Sequence, residues 1–134
     1  MKKLFSFMLF AVFVAFVGCG SGSKTPEDAA IRIAKYVIDG DIAQVLKEVH
    51  NRDGKPFDDK ERTSLINLKI TSISEKWKQN GEVKSIKTQN LEYKEGSAKA
   101  SVEVVVEFNN GVIETERFSN IWLIDGEWRV VFMF

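Results

Sequence analysis

Thr115, Arg117 and Ser119 stand at every second position of one polar run, and alternate residues of an extended segment share a face. A guanidinium between two hydroxyls can anchor the polar end of a small ligand, provided the strand turns it inward. Other residues with chemical potential are sparse. His50 is the one histidine, which rules out a two-histidine metal site. Its place at the end of a helical stretch suits a residue near the negative helix terminus, not a base. Glu103, Glu107, Glu114 and Glu116 are expected together on the outer face of a sheet, where solvation leaves a carboxylate no means of shifting its pKa for catalysis. Asn51, Asp53 and Gly54 echo a calcium loop, but Val49 and Lys60 occupy its first and last ligand positions, where oxygen donors are required. No phosphate-cradling glycine-rich loop is present. No metal, no cofactor and no catalytic residue is therefore assigned.

Cys19 is the single cysteine, so an intramolecular disulfide is excluded. Lys2 and Lys3 precede an apolar run over residues 4–17, broken only by Ser6, and Gly18 follows. These are the parts of a secretory signal peptide, and the run is short for a membrane span. Phe16-Val17-Gly18-Cys19 resembles the lipobox of bacterial lipoproteins, in which the cysteine is acylated and becomes the new N-terminus. Gly18 and Cys19 match that pattern, whereas Phe16 stands where leucine is usual and Val17 where alanine or serine is usual. The resemblance implies a signal peptide over residues 1–18, a lipidated Cys19 with a flexible tether over residues 19–24, and a bacterial envelope protein held to a membrane through its acyl chains. Gly20 stands where an aspartate would retain the protein at an inner membrane, so the outer membrane is favoured where the cell has one. A plain signal peptide with a stray thiol and an uncleaved anchor helix are the alternatives. The glycine and serine tether stretches only roughly 17 Å, which keeps the folded part near lipid.

Removing residues 1–18 takes away Lys2 and Lys3 and no acid, leaving seventeen basic against nineteen acidic residues and a net charge of −2. A nucleic-acid partner is excluded, because it would demand a basic stripe to replace condensed counterions. About 115 residues remain, enough for one domain with its own core.

Thr25-Pro26-Glu27-Asp28 opens a helix, with a hydroxyl cap, proline at the first position and acids in the positive first turn. Ala30, Ile33, Ala34, Val37 and Ile38 make its buried face, and Gly40 ends it. Asp41 starts a second helix that buries Ile42, Val45, Leu46 and Val49. Asp58, with Glu61 reaching back, caps a third helix to about Lys78, whose stripe is Ile66, Ile70, Ile73 and Trp77. After Asn80-Gly81 the period changes to two: strands are expected over residues 83–93, 98–108, 112–124 and 127–134, with Asn110-Gly111 and Asp125-Gly126 as hairpin turns. Three helices followed by four antiparallel strands make an α+β domain over residues 25–134, with the helices packed on one face of the sheet.

Two-residue turns would set Val106 opposite Thr115, Val104 opposite Arg117, Val102 opposite Ser119 and Ala100 opposite Ile121. Leu123 would then face Trp128, and Ile121 would face Val130. Thr115, Arg117 and Ser119 thereby fall on the helix-covered face, where an unpaired arginine would cost several kcal/mol. One reading is a pocket with Arg117 as polar anchor and Tyr36, Trp77 and Trp128 as walls. The other places Arg117 at a twist or bulge, paired with a surface glutamate. Phe118, Trp122, Ile124, Val131 and Met133 fall on the opposite face as a candidate interface for a second copy or an envelope partner, unless the first strand or a loop covers them.

The Thr-Pro-Glu helix start, Gly40-Asp41, the alternating strand ending in Asn110-Gly111 and the closing Asp125-Gly126-Glu127-Trp128-Arg129-Val130 together resemble bacterial lipoproteins of unknown function grouped with lumazine-binding-like domains. These belong to the nuclear transport factor 2-like (cystatin-like) superfamily. The resemblance implies a curved, cone-shaped α+β fold in a lipid-anchored envelope protein. That superfamily includes isomerases, dehydratases and pure binding modules, and the scarcity of residues with chemical potential favours a non-enzymatic domain that binds a small apolar ligand or a neighbouring envelope protein. The alternative is a small isomerase or dehydratase using the cone pocket, for which Tyr36, Tyr93 or Asp41 would have to supply acid–base chemistry.

Overall fold

Thr25 opens the first helix as its residues dictate: its Oγ1 accepts from the backbone N–H of Asp28 at 3.1 Å, and Pro26 follows at a position where no N–H is needed. The computed structural model describes residues 23–57, 60–94 and 98–133. The expected signal peptide, Cys19, residues 20–22 of the expected tether and the expected cap residue Asp58 lie outside the described residues. Helix α1 spans Pro26–Asp39. Gly40 ends it at φ 73°, a left-handed conformation that favours glycine. From there Gly40 donates to Val37 O at 3.1 Å and Asp41 to Tyr36 O at 2.9 Å, satisfying the last carbonyls. Asp41 at once caps α2, Ile42–Glu48, its carboxylate accepting from Gln44 N at 3.3 Å. Helix α3, Lys60–Lys78, buries Ile66, Ile70, Ser74 and Trp77, while Ile73 packs half-buried beside them.

Among the described residues four strands, β1 (Val83–Lys94), β2 (Lys99–Phe108), β3 (Ile113–Ile124) and β4 (Glu127–Val130), form one antiparallel sheet in chain order. The helices cover one face of it, as expected for an α+β domain. Val102, Val104 and Val106 of β2 are fully buried and Phe108 is 1 % exposed. Full burial of such a side chain is worth roughly 1.5–3 kcal/mol, against 0 to about 1 kcal/mol for a surface ion pair. The alternating residues of β2, not the charged rim, hold the two layers together.

The β2–β3 register departs from the expected one. Val106 stands opposite Glu114, Val104 opposite Glu116, Glu103 opposite Arg117 and Val102 opposite Phe118. The cause is the turn. Phe108 N donates to Val112 O at 2.9 Å, so the loop is Asn109-Asn110-Gly111, a three-residue turn whose last member sits at φ 90°. One residue of slip turns every side chain of that half-strand over. A bulge at Ser119-Asn120 then restores the count, and Ala100 stands opposite Ile121, Ile121 opposite Val130 and Leu123 opposite Trp128, as expected.

Strand β4 is shorter than residues 127–134, because the chain beyond it pairs elsewhere. Phe132 N donates to His50 O, and His50 N to Val130 O, both at 2.9 Å. Trp128 N donates to Ser23 O at 2.9 Å. The exposed edge of the sheet is thus covered by two short segments. Ser23, read as flexible tether, is instead buried at 3 % exposure, so the packed domain reaches back beyond Thr25.

Candidate functional site

A cavity of about 320 Å³ lies between α1, α3 and the bulged half of β3. Its walls are apolar by construction. Ile33 and Val37 come from the inner face of α1, Ile70 and Trp77 from the stripe of α3, and Phe118 and Phe132 from the sheet side. The bulge keeps β3 from closing against the helices, since two residues of β3 there oppose one of β2. Lys69, Glu116, Arg117, Ser119 and Asn120 are the polar residues of the lining.

Register decides which charges enter. Glu114 and Glu116 share the helix-facing side of β3 with Phe118 and are half-buried. Glu114 is held by Lys76 Nζ at 3.5 Å and Asn80 Nδ2 at 3.5 Å, near the end of α3. Glu116 has no hydrogen bond or ion pair among the described residues. Lys69, across the cavity on α3, is exposed, so its long stem leaves the ammonium in water. The lone inward-facing carboxylate in an apolar chamber is Glu116, which the sequence reading had placed on the solvated face.

The expected pocket residues divide. Trp77 and Ser119 line the cavity as foreseen. Thr115 stands opposite Val105 and is exposed on the outer face. Arg117 contributes to the rim, but its guanidinium works on the outer face: Nη2 donates to Ser101 Oγ at 2.9 Å, Nη1 lies 3.4 Å from Glu103, and Nη2 lies 3.5 Å from Glu92. The pairing of Arg117 with glutamates matches the second of the two arrangements expected for it, although the residue still borders the cavity. Hydrogen bonds from Gln89 and Asn90, ahead of the pull of Arg117, hold the Glu103 carboxyl below its usual range. Tyr36 and Trp128 do not form walls. Trp128 packs against Tyr93 with ring centroids 6.0 Å apart.

Tyr36 belongs to a cluster that sequence reasoning missed. Arg32 Nη2 meets Glu48 Oε2 at 2.6 Å, Arg32 Nε meets Oε1 at 3.1 Å, and the Tyr36 hydroxyl donates to Oε2 at 3.1 Å. Arg32 and Tyr36 sit one helical turn apart, and that spacing was the available signal. The hydrogen bond to Glu48 raises the Arg32 pKa against the opposing effect of burial. Burial, then the charge of Glu48, raises that of Tyr36. Asp28 is raised by burial and pulled back by Arg32. The cluster ties α1 to α2 and lies outside the cavity lining.

The expected interface residues also divide. Phe118, Val131 and Met133 line the cavity. Trp122 and Ile124 lie under the loop after α2: a Cβ on Gly54 would stand 3.7 Å from Ile124 and 3.9 Å from Trp122. Loop cover therefore replaces the expected open interface, as a turn at φ 73° lets Gly54 approach the sheet. His50 stands just beyond α2, and burial, then Arg129, lowers its pKa against the nearby carbonyls of Glu48 and Val49. Its Nδ1 is buried without a hydrogen-bond partner among the described residues. Asp41 serves as a cap and Tyr93 is 53 % exposed, so neither supplies acid–base chemistry to the cavity.

The chain belongs to the family described as Domain of unknown function (DUF4878), whose model matches residues 17–131. No curated protein matches it. A crystal structure from Campylobacter jejuni, provisionally described as an NTF2-like transpeptidase, superposes with a TM-score of 0.67 at 23% identity, covering 81% of this chain and 98% of that one. At that identity the likeness shows a shared NTF2-like fold.

Proposed function

We propose that this DUF4878 member is a lipid-anchored module of the bacterial envelope that binds a small amphipathic ligand without transforming it. The observation that carries the binding reading is Glu116, a half-buried carboxylate without a partner among the described residues, facing an apolar chamber of about 320 Å³. Such a chamber fits a ligand with an apolar body, and the carboxylate selects a cationic or hydrogen-bond-donating head. The anchor is supported by Gly18-Cys19 at the end of the apolar run, and the family match begins at Val17 and so takes in that cysteine. The resemblance to lumazine-binding-like domains agrees with a small-ligand chamber.

An isomerase or dehydratase would use the same carboxylate as its base. Binding is preferred because no histidine, cysteine or tyrosine lines the cavity among the described residues to complete an acid–base pair. The transpeptidase description stays with the Campylobacter protein: the cavity hydroxyl here, Ser119, has no lining histidine to activate it.

Native mass spectrometry of the full-length product from a bacterial membrane tests both parts. The expected result is an acylated Cys19 and an amine-bearing small molecule kept by the wild type and lost from Glu116→Gln. A freely soluble, unmodified product refutes the anchor, and equal ligand content in both proteins refutes the site.

A further inference from the structure

The chain between Cys19 and the first described residue is short, and where it ends is defined. Ser23 is clamped to β4 through Trp128 N, and the four residue steps back to Cys19 span at most roughly 14 Å. An acyl chain on Cys19, which rests on the anchor reading above, holds this end of the sheet near the headgroups. That end has a composition suited to lipid. Tyr93 is 53 % exposed and Leu123 42 % exposed, and both touch Trp128, Tyr93 through its ring at 6.0 Å and Leu123 as its strand partner. Trp128 itself is buried at 8 % exposure, so the surface over it is made by Tyr93 and Leu123, a tyrosine beside a leucine being an amphipathic pair of the kind found at membrane–water boundaries. Lys24, Lys94 and Lys99 are exposed at the same end. Lys99 Nζ rides 4.6 Å above the Trp122 ring and Lys94 Nζ bonds to Ser119 O at 3.1 Å, so both ammonium groups lie along the sheet at this end while the residues stay exposed to solvent. Among the described acids there, Glu127 pairs with Arg129 at 2.9 Å and Glu92 with Arg117 at 3.5 Å, while Asp125 stands in the turn.

We propose that the sheet end carrying the exposed Tyr93 and Leu123 is a bilayer-contacting surface, seated at the headgroup boundary by the Cys19 anchor. The domain then stands with β3 pointing away from the membrane, and Ile113, 60 % exposed, lies at the far end of that strand, on the order of 33 Å away.

The test exploits the single cysteine. Once Cys19 is acylated, Leu123→Cys, Ile113→Cys or Leu68→Cys each provides one reactive thiol for an environment-sensitive fluorophore in the full-length protein. Leu68 enters as the most exposed large apolar side chain of α3 among the described residues, at 70 %. The labelled proteins are reconstituted in phosphatidylethanolamine–phosphatidylglycerol vesicles carrying a headgroup-level quencher. Blue-shifted emission and several-fold stronger quenching at position 123 than at 113 or 68 is the expected result. Equal quenching at all three positions, or stronger quenching at 113 or 68, overturns the orientation while leaving the anchor intact. Protein that fails to float with the vesicles overturns the anchor and this surface together.

Discussion

Val104 stands directly opposite Glu116 across the β2–β3 ladder. Since Val104 is fully buried against the helices, its partner is turned to the same side, and a carboxylate enters the cavity. Such a group is retained against stability. Glu116→Leu should therefore raise the unfolding free energy by about 1 kcal/mol while abolishing ligand retention, as read by chemical denaturation alongside native mass spectrometry.

Arg117, one residue further along, points to the other face and pairs with exposed glutamates. Arg117→Ala should cost no more than about 1 kcal/mol and leave ligand retention unchanged. Loss of ligand in this variant would return the anchor role to the guanidinium.

The Arg32–Glu48 pair behaves differently, because its side chains are only 8 % and 14 % exposed. Removing Arg32 leaves the Glu48 carboxylate between α1 and α2 with the Tyr36 hydroxyl, and removing the Glu48 charge takes two hydrogen bonds from the Arg32 guanidinium. Arg32→Met or Glu48→Gln should each destabilise by about 3 kcal/mol, and the double variant should recover part of that loss, a coupling that a double-mutant cycle in urea measures.

His50 makes stability depend on pH. Its folded-state pKa is held below the ordinary value by burial and Arg129, so between the two values the unfolded chain binds more protons than the folded one. Stability contributed by neutral His50 is complete above about pH 6.5, falls as the pH drops towards the lowered folded value, and changes no further below it. Thermal melts from pH 7.5 to pH 5 should show that decline, and His50→Gln should flatten it.

Much of this architecture was legible because its signals are local. Thr25 and Asp41 cap where their side chains suggest, Gly40 ends α1, and Val102, Val104, Val106 and Phe108 of β2 recur at every second position. Strand β3 offered no such guide: Glu114, Thr115, Glu116 and Arg117 are polar on both faces, so hydropathy could not choose a register. The choice fell to the turn, and Asn110-Gly111 was read as a two-residue loop when Phe108 and Val112 close a three-residue one. The bulge at Ser119-Asn120 then cancelled the error, which is why Ile121 and Leu123 were placed correctly while Glu116 and Arg117 were exchanged. Arg32 was hidden for another reason. Its partner Glu48 belongs to a different helix, so the one-turn spacing of Arg32 and Tyr36 marks a shared face without naming the carboxylate they meet.

Calorimetric titration of octylamine and octanoate, equal in chain length and opposite in charge, into the full-length protein and its Glu116→Gln variant tests the central claim most directly. The account predicts at least about tenfold tighter binding of the amine by the wild type, a difference of about 1.4 kcal/mol, and no preference in the variant. Octanoate binding as tightly as octylamine, or a preference that survives in Glu116→Gln, would contradict it.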